Sequence, residues 1–232
     1  MLPLLAVAQP SGFLDHVRVG FGAGLNTAHI IDLAPFNIFE DLSGQEYENI
    51  YSGTLQNIGN QYFVQLEYYD KDFIISLKPG TYSYRFSKLN EILFSTETAE
   101  LETPYLLRYV TVPLEGRYNL DLKRYRPYAG LSLAYSHLLS SNDASNQTFI
   151  RPRFSAGAVV GSYIDLRSVI LDLNLGYHSS LHNIANKADR FGTGNGSSFA
   201  QDDILLNELQ LSISLLFSLQ KQRRFSNVEC YY

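Results

Sequence analysis

The sequence predicts an all-β protein, an eight-stranded, antiparallel, up-and-down transmembrane β-barrel with long extracellular loops and short periplasmic turns. Three observations predict it. Apolar and polar residues alternate with period two in eight segments, the connections between segments alternate long and short, and the polar face carries charges that an apolar core could not hold.

The first segment sets Val17, Val19, Phe21, Ala23 and Leu25 against Arg18, Gly20, Gly22, Gly24 and Asn26, and the second sets Tyr62, Val64, Leu66 and Tyr68 against Phe63, Gln65, Glu67 and Tyr69. The third begins with Phe73, Ile75 and Leu77 on one face. At Pro79-Gly80 it changes phase, so that Tyr82, Tyr84 and Phe86 continue the apolar face, and a β-bulge is expected there. In the fourth, Val110, Val112, Leu114, Tyr118 and Leu120 oppose Thr111, Glu115, Arg117 and Asn119. The fifth sets Leu131, Leu133 and Tyr135 against Gly130, Ser132, Ala134 and Ser136. The sixth sets Ile150, Phe154, Ala156, Ala158, Val160 and Ile164 against Arg151, Arg153, Ser155, Gly157 and Gly161. The seventh sets Leu171, Leu173, Leu175 and Tyr177 against Asp172, Asn174, Gly176 and His178. The last is the clearest, with Leu209, Leu211, Ile213, Leu215, Phe217 and Leu219 opposite Glu208, Gln210, Ser212, Ser214 and Ser218. A helix would scatter both sets around its axis.

Connections of roughly Ile31 to Asn60, Lys88 to Thr103, Leu139 to Thr148 and Leu181 to Asp203 follow the odd segments. Tight turns follow the even ones, at Asp70-Lys71-Asp72, Asp121-Leu122-Lys123-Arg124 and Asp165-Leu166-Arg167. Short turns on one side of the membrane and long loops on the other are the rule for barrels that cross a bilayer. Each apolar face runs for roughly 9 to 11 residues, the reach of a tilted strand across the hydrocarbon. The competing reading, a soluble β-sandwich, would bury Arg18, Glu67, Glu115, Arg117, Arg151, Arg153, Asp172 and Glu208 between its sheets, and would have no reason to alternate its connections. In a narrow barrel these eight residues form a lumen charge network that plugs the bore.

The 232 residues suit one domain. Charged residues make up only 18% of the chain, whereas Tyr (17) and Phe (14) are abundant and Trp is absent. Tyr62, Tyr68, Tyr82, Tyr84, Tyr118, Tyr135, Tyr163 and Tyr177 are expected as girdle anchors at the two membrane surfaces. The opening Met1-Leu2-Pro3-Leu4-Leu5-Ala6-Val7-Ala8 reads as the end of a signal peptide with an Ala-x-Ala cleavage pattern. Residues 1–8 are therefore taken as its remnant, 9–221 as the barrel and 222–232 as a C-terminal tail. Export together with a barrel points to a bacterial outer membrane, with lipopolysaccharide and phospholipid as partners. A net charge of -5 without a basic cluster excludes a nucleic-acid partner. The single cysteine, Cys230, allows neither an intrachain disulfide nor a thiolate zinc site, and no cofactor is expected.

Three stretches together resemble the PorT-like outer-membrane β-barrel family of Bacteroidetes: Val19 to Asn26, Val112-Pro113-Leu114-Glu115-Gly116-Arg117-Tyr118, and Arg126-Pro127-Tyr128-Ala129-Gly130-Leu131-Ser132-Leu133-Ala134-Tyr135. The resemblance implies a barrel without catalytic residues. For some members it implies an accessory role in the type IX secretion and gliding apparatus.

The remaining motifs are weighed on the same parity. His178-Ser179-Ser180 is similar to the His/Ser pair of lipid A deacylases, but the alternation turns His178 and Ser180 toward the lumen, away from acyl chains. His178 and His182 would share a metal only on a helix. Gly192 to Ser198 has phosphate-loop composition without the following Lys, and reads as an outer loop. The first long loop carries Phe36, Ile38, Phe39, Leu42, Tyr47 and Tyr51 among acids, which makes it a candidate partner surface or a lid over the mouth. The leading expectation is a non-enzymatic barrel that binds other envelope or secretion proteins. The alternatives are a lipid A-modifying esterase using His178 and Ser180, and a narrow channel or small-ligand carrier.

Overall fold

The protein is described from a computed structural model covering residues 16–34, 50–70, 72–94, 97–120, 125–142, 149–166, 169–185 and 203–219. The expected signal-peptide remnant, the C-terminal tail with Cys230, the glycine run at 192–198 and loop residues Phe36 to Tyr47 lie outside them.

Among the described residues there are ten strands: β1 (Val17–Ala34), β2 (Ile50–Tyr51), β3 (Ile58–Asp70), β4 (Phe73–Leu77), β5 (Gly80–Phe94), β6 (Glu97–Asn119), β7 (Tyr125–Ser141), β8 (Pro152–Asp165), β9 (Ile170–Ser180) and β10 (Asp203–Ser218). All pairings are antiparallel, and β1 pairs with both β10 and β3, which closes the sheet on itself. β4 and β5 are two lengths of one stave and β2 is a two-residue addition to the rim, so the closed wall has eight staves. Closure leaves no unpaired edge within the wall, the condition for backbone amides to lie in hydrocarbon.

The break between β4 and β5 is not the expected bulge. Leu66 faces Leu77 and Phe63 faces Gly80, while Leu114 faces Leu77 and Thr111 faces Gly80, so three residues on each neighbour match three on the stave. The ladder even continues across it, with Lys78 N–H donating to the Pro113 carbonyl at 3.1 Å and Val64 N–H to the Pro79 carbonyl at 3.0 Å. Pro79 lacks an N–H, which interrupts the strand without shifting its phase. Tyr82, Tyr84 and Phe86 consequently point into the barrel on the same side as Ile74 and Ser76, all nearly fully buried. Register shifts occur elsewhere, at Leu139 in β7 and near Leu33 in β1.

The expected long connection from Lys88 to Thr103 is largely strand. β5 and β6 remain paired out to Phe94 and Glu97, forming a hairpin that rises past the last pairing of β6 with β7.

The faces are inside-out through most of the wall. Phe21, Leu25, Tyr62, Leu114, Leu131, Leu133, Leu211 and Ile213 all point outward with 48–74% of their surface exposed. A soluble surface does not carry an apolar band of this size, whereas a transmembrane barrel requires one. The chain is an eight-stave transmembrane β-barrel with its short turns, and both described ends, on one side. At the inner end of the first stave the lumen is so narrow that a Cβ on Gly22 would lie 2.5 Å from the Phe63 ring, which explains glycine on that inward face.

Candidate functional site

The bore holds a stack of three layers. Nearest the short turns, Ile74, Tyr128, Tyr163 and Leu216 form a small apolar cluster. Against it and above it lies a dense polar cluster. At the outer mouth Ala28, Ile30, Tyr82, Tyr84, Phe86, Leu107, Tyr109, Phe149, Ile184, Ala185, Ile204 and Leu206 make a second, larger apolar cluster.

Arg117 is the centre of the polar layer. Its guanidinium meets Glu115, Glu67 at 3.1 Å and Asp172 at 3.0 Å, and donates to the Tyr163 hydroxyl. Lys78 pairs with Glu115 at 3.1 Å and Arg18 approaches Glu67 at 3.6 Å. Three cations thus face three carboxylates with no net charge left over. Neutral groups add further donors to these oxygens. Tyr128 donates to Asp172 at 2.7 Å, Tyr163 to Glu67 at 2.7 Å, and the Gln65 amide to both acids at 2.7 and 2.9 Å. Ser214 in turn donates to Gln65 at 2.6 Å. The Arg117 guanidinium also stacks 4.5 Å from the centre of the Tyr128 ring, and Arg18 lies 3.9 Å over Tyr69. Burial of so many ions is tolerable only when each is paired, and here the six ions are drawn from five staves.

A smaller cluster lies toward the mouth. Arg153 pairs with Glu208 at 3.4 Å, donates from Nε to the Ser180 hydroxyl at 2.8 Å and from Nη2 to the Leu206 carbonyl at 3.2 Å, and sits under the Tyr84 ring at 5.3 Å. His178 Nδ1 stands 3.7 Å from Glu208.

Of the eight residues expected in the charge network, Arg18, Glu67, Glu115, Arg117 and Asp172 meet in the first cluster and Arg153 and Glu208 in the second. Arg151 joins neither. It precedes β8, outside the strand, and its side chain is exposed. The alternation that places Arg153 inward ends one residue too early for Arg151. Lys78 belongs to the network although sequence reasoning passed over it, because the supposed phase change at Pro79 obscured its inward parity with Ile74 and Ser76. Gln65 and Ser214, on the polar faces expected for β3 and β10, join it as well, and so do Tyr128 and Tyr163, which parity on β7 and β8 also turns inward.

The expected tyrosine girdles divide in the same way. Tyr62, Tyr68, Tyr118, Tyr135 and Tyr177 point outward, but Tyr82, Tyr84 and Tyr163 are buried in the bore. Tyr51 of the first loop is partly buried against the outer apolar cluster, 6.3 Å from Phe86 between ring centres. It packs at the rim beside β5, whereas the rest of the candidate loop surface lies outside the described residues.

His178 and Ser180 both face the bore, nearly fully buried. The Ser180 hydroxyl gives its proton to the Leu206 carbonyl at 2.7 Å, so it has no base waiting for it. His182 points elsewhere, its Nε2 accepting from the Phe154 N–H at 3.2 Å, and it shares no ligand position with His178.

No protein-family model matches the chain, and no curated protein matches it. Solved structures overlay on it at low identity. Neisserial surface protein A shows 14% identity and a TM-score of 0.49, over 88% of this chain and 97% of that one. The outer membrane protein OprG from Pseudomonas aeruginosa shows 13% and 0.47, over 89% and 99%. Ail, the attachment invasion locus protein of Yersinia pestis, crystallised with the heparin analogue sucrose octasulfate, shows 11% and 0.40, over 87% and 99%. Overlays of this quality say nothing about activity or ligand, and the barrel rests on its own closed strand pairing.

Proposed function

We propose that this chain is an exported barrel of a bacterial outer membrane that carries out no reaction itself, and serves as a structural or accessory subunit whose outer surface binds other envelope proteins. The observation that carries the proposal is the filled bore. The Arg117 cluster, packed together with two apolar clusters, occupies the space that a channel or a carrier would need, and an eight-stave wall leaves little to spare. What remains for recognition is the outside: the first loop, the tall β5–β6 hairpin and the lipid-facing wall. An accessory role in type IX secretion or gliding is supported by the sequence resemblance alone.

The esterase alternative is disfavoured by Ser180, whose hydroxyl is turned inward and held by a backbone carbonyl. The test of the main reading is heat-modifiable gel migration of the detergent-extracted protein, combined with membrane fractionation and a native gel of what co-purifies. Fast unheated migration, an outer-membrane fraction and a complex that shrinks when Ile38 to Glu48 is deleted are the expected results. A complex of unchanged size after that deletion would remove the partner-loop assignment. Discrete conductance steps in a planar bilayer would replace the plug with a pore.

A further inference from the structure

We propose that a cleft on the outer wall, beneath Arg85 and Arg108, binds the phosphate of a lipid in the outer leaflet. The proposal rests on the outer-membrane reading above and names the headgroup chemistry and the residues.

On the outward face of the third stave, Phe73, Ile75 and Leu77 lie in the apolar belt and are succeeded above Pro79 by Thr81, Ser83 and Arg85. On β6, Leu114, Val112 and Val110 are succeeded on that same face by Arg108. Both arginines therefore stand where hydrocarbon gives way to headgroups. Ser83 faces Arg108 and Leu106 faces Arg85, so the two guanidinium stems are diagonal neighbours on one face, about 7–8 Å apart at the backbone. Like charges at that separation repel unless an anion is shared between them.

No such anion comes from the described protein. Glu102 lines an adjoining cavity together with Arg85, yet neither arginine forms an ion pair among the described residues. In the lumen, by contrast, Arg18, Arg117 and Arg153 each face a carboxylate.

The two side chains border a cavity of about 390 Å³, whose other walls include Asn60, Ser83, Tyr62 and Leu139. Ser83 also bonds Asn60, which braces the polar end of the cleft. Tyr62 and Leu139 remain 58% and 60% exposed, ready to lie along an acyl chain or a sugar face. The register shift at Leu139, where β7 carries one residue more than β6 at the Arg108–Tyr109 step, falls at this cleft, and Leu139 lines it. Paired guanidinium forks above an apolar wall match a phosphate carried on a lipid, since the fork suits its oxygens and the wall suits what it is attached to.

The test uses the full chain in detergent, stripped of lipid and titrated by native mass spectrometry with diphosphorylated lipid A and with the same glycolipid after phosphate removal. Wild type should retain the phosphorylated form preferentially. The Arg85→Gln/Arg108→Gln double variant should bind it about 25-fold more weakly, each basic group near a bilayer surface being worth about fivefold. Arg126→Ala, at the opposite end of the barrel, should bind as wild type does. Heat-modifiable migration checks that each variant is folded, and if the double variant is not, the two single variants, each about fivefold weaker, decide the matter. Binding by the folded variants equal to wild type, or equal binding of the dephosphorylated glycolipid, would overturn the proposal. Displacement of the lipid by equimolar inorganic phosphate would also overturn it, leaving an anion site that ignores the lipid. A chain that fractionates away from the outer membrane fails the underlying reading, whereas an outer-membrane chain with unaltered variants fails this proposal alone.

Discussion

The lower and upper halves of this barrel are built on opposite rules. In the lower half the wall is apolar outside and charged inside, as with Leu114 and Tyr118 against Glu115 and Arg117 on β6. Toward the mouth of the same strand, Arg108 points out while Leu107 and Tyr109 point in. The inversion recurs on β1, where outward Phe21 and Leu25 give way to inward Ala28 and Ile30, and on β10, where inward Leu206 precedes outward Leu209 and Leu211. The backbone does not change phase at these points. What changes is the medium outside, from lipid to water, so the apolar side chains move to whichever face is drier. The lower half must then neutralise its interior with ion pairs, and the upper half closes its interior as a soluble protein does.

Substitutions that break one rule and leave the other intact test this contrast. The largest effect is expected from Arg117→Met, which takes from Asp172 its cation among the described residues and leaves Glu67 and Glu115 with only Arg18 and Lys78. A loss of about 3–5 kcal/mol in urea unfolding, followed by the heat-sensitive gel shift, is predicted from the cost of unpairing buried ions. Stability within error of wild type would show that the charges are hydrated and not a packed network. Next comes Leu133→Arg on the lipid face, predicted to cost about 2–4 kcal/mol, whereas Leu55→Arg, 83% exposed in the first loop above the belt, should change stability by less than about 0.5 kcal/mol. Equal costs at the two sites would erase the boundary between the halves.

Gly22→Val should cost about 1–3 kcal/mol through overpacking against Phe63, measured by the same unfolding curve. The smallest effect is expected at the Arg126–Asp165 pair, 3.7 Å apart and partly exposed at the turn side. Its removal by Arg126→Ala should cost no more than about 1 kcal/mol and be insensitive to added salt thereafter.

Much of the lower half could be read from alternation alone. Parity on each strand is enough to set Glu67, Arg117 and Asp172 on a common side, although these residues are as many as 105 positions apart and only closure of the sheet brings the two acids within 3.0–3.1 Å of Arg117. The upper half was misread for a physical reason. Tyr82, Tyr84 and Phe86 look like a continuation of the lipid-facing row if apolar always means outward, and keeping that assumption demanded a bulge at Pro79 that the strand does not have. The same assumption hid Lys78. Arg151 erred in the other direction, because alternation was extended past the point where β8 begins.

By itself the sequence determined the period of two, the number of staves and the relative facing of neighbours within each strand, since these follow from the pleat and from the length needed to cross a bilayer. Only the tertiary structure decided which medium each face meets at each height, and which ions meet across the bore. Alternation is symmetric under exchange of its two faces, and the symmetry is broken only when the closed wall is set against lipid below and water above.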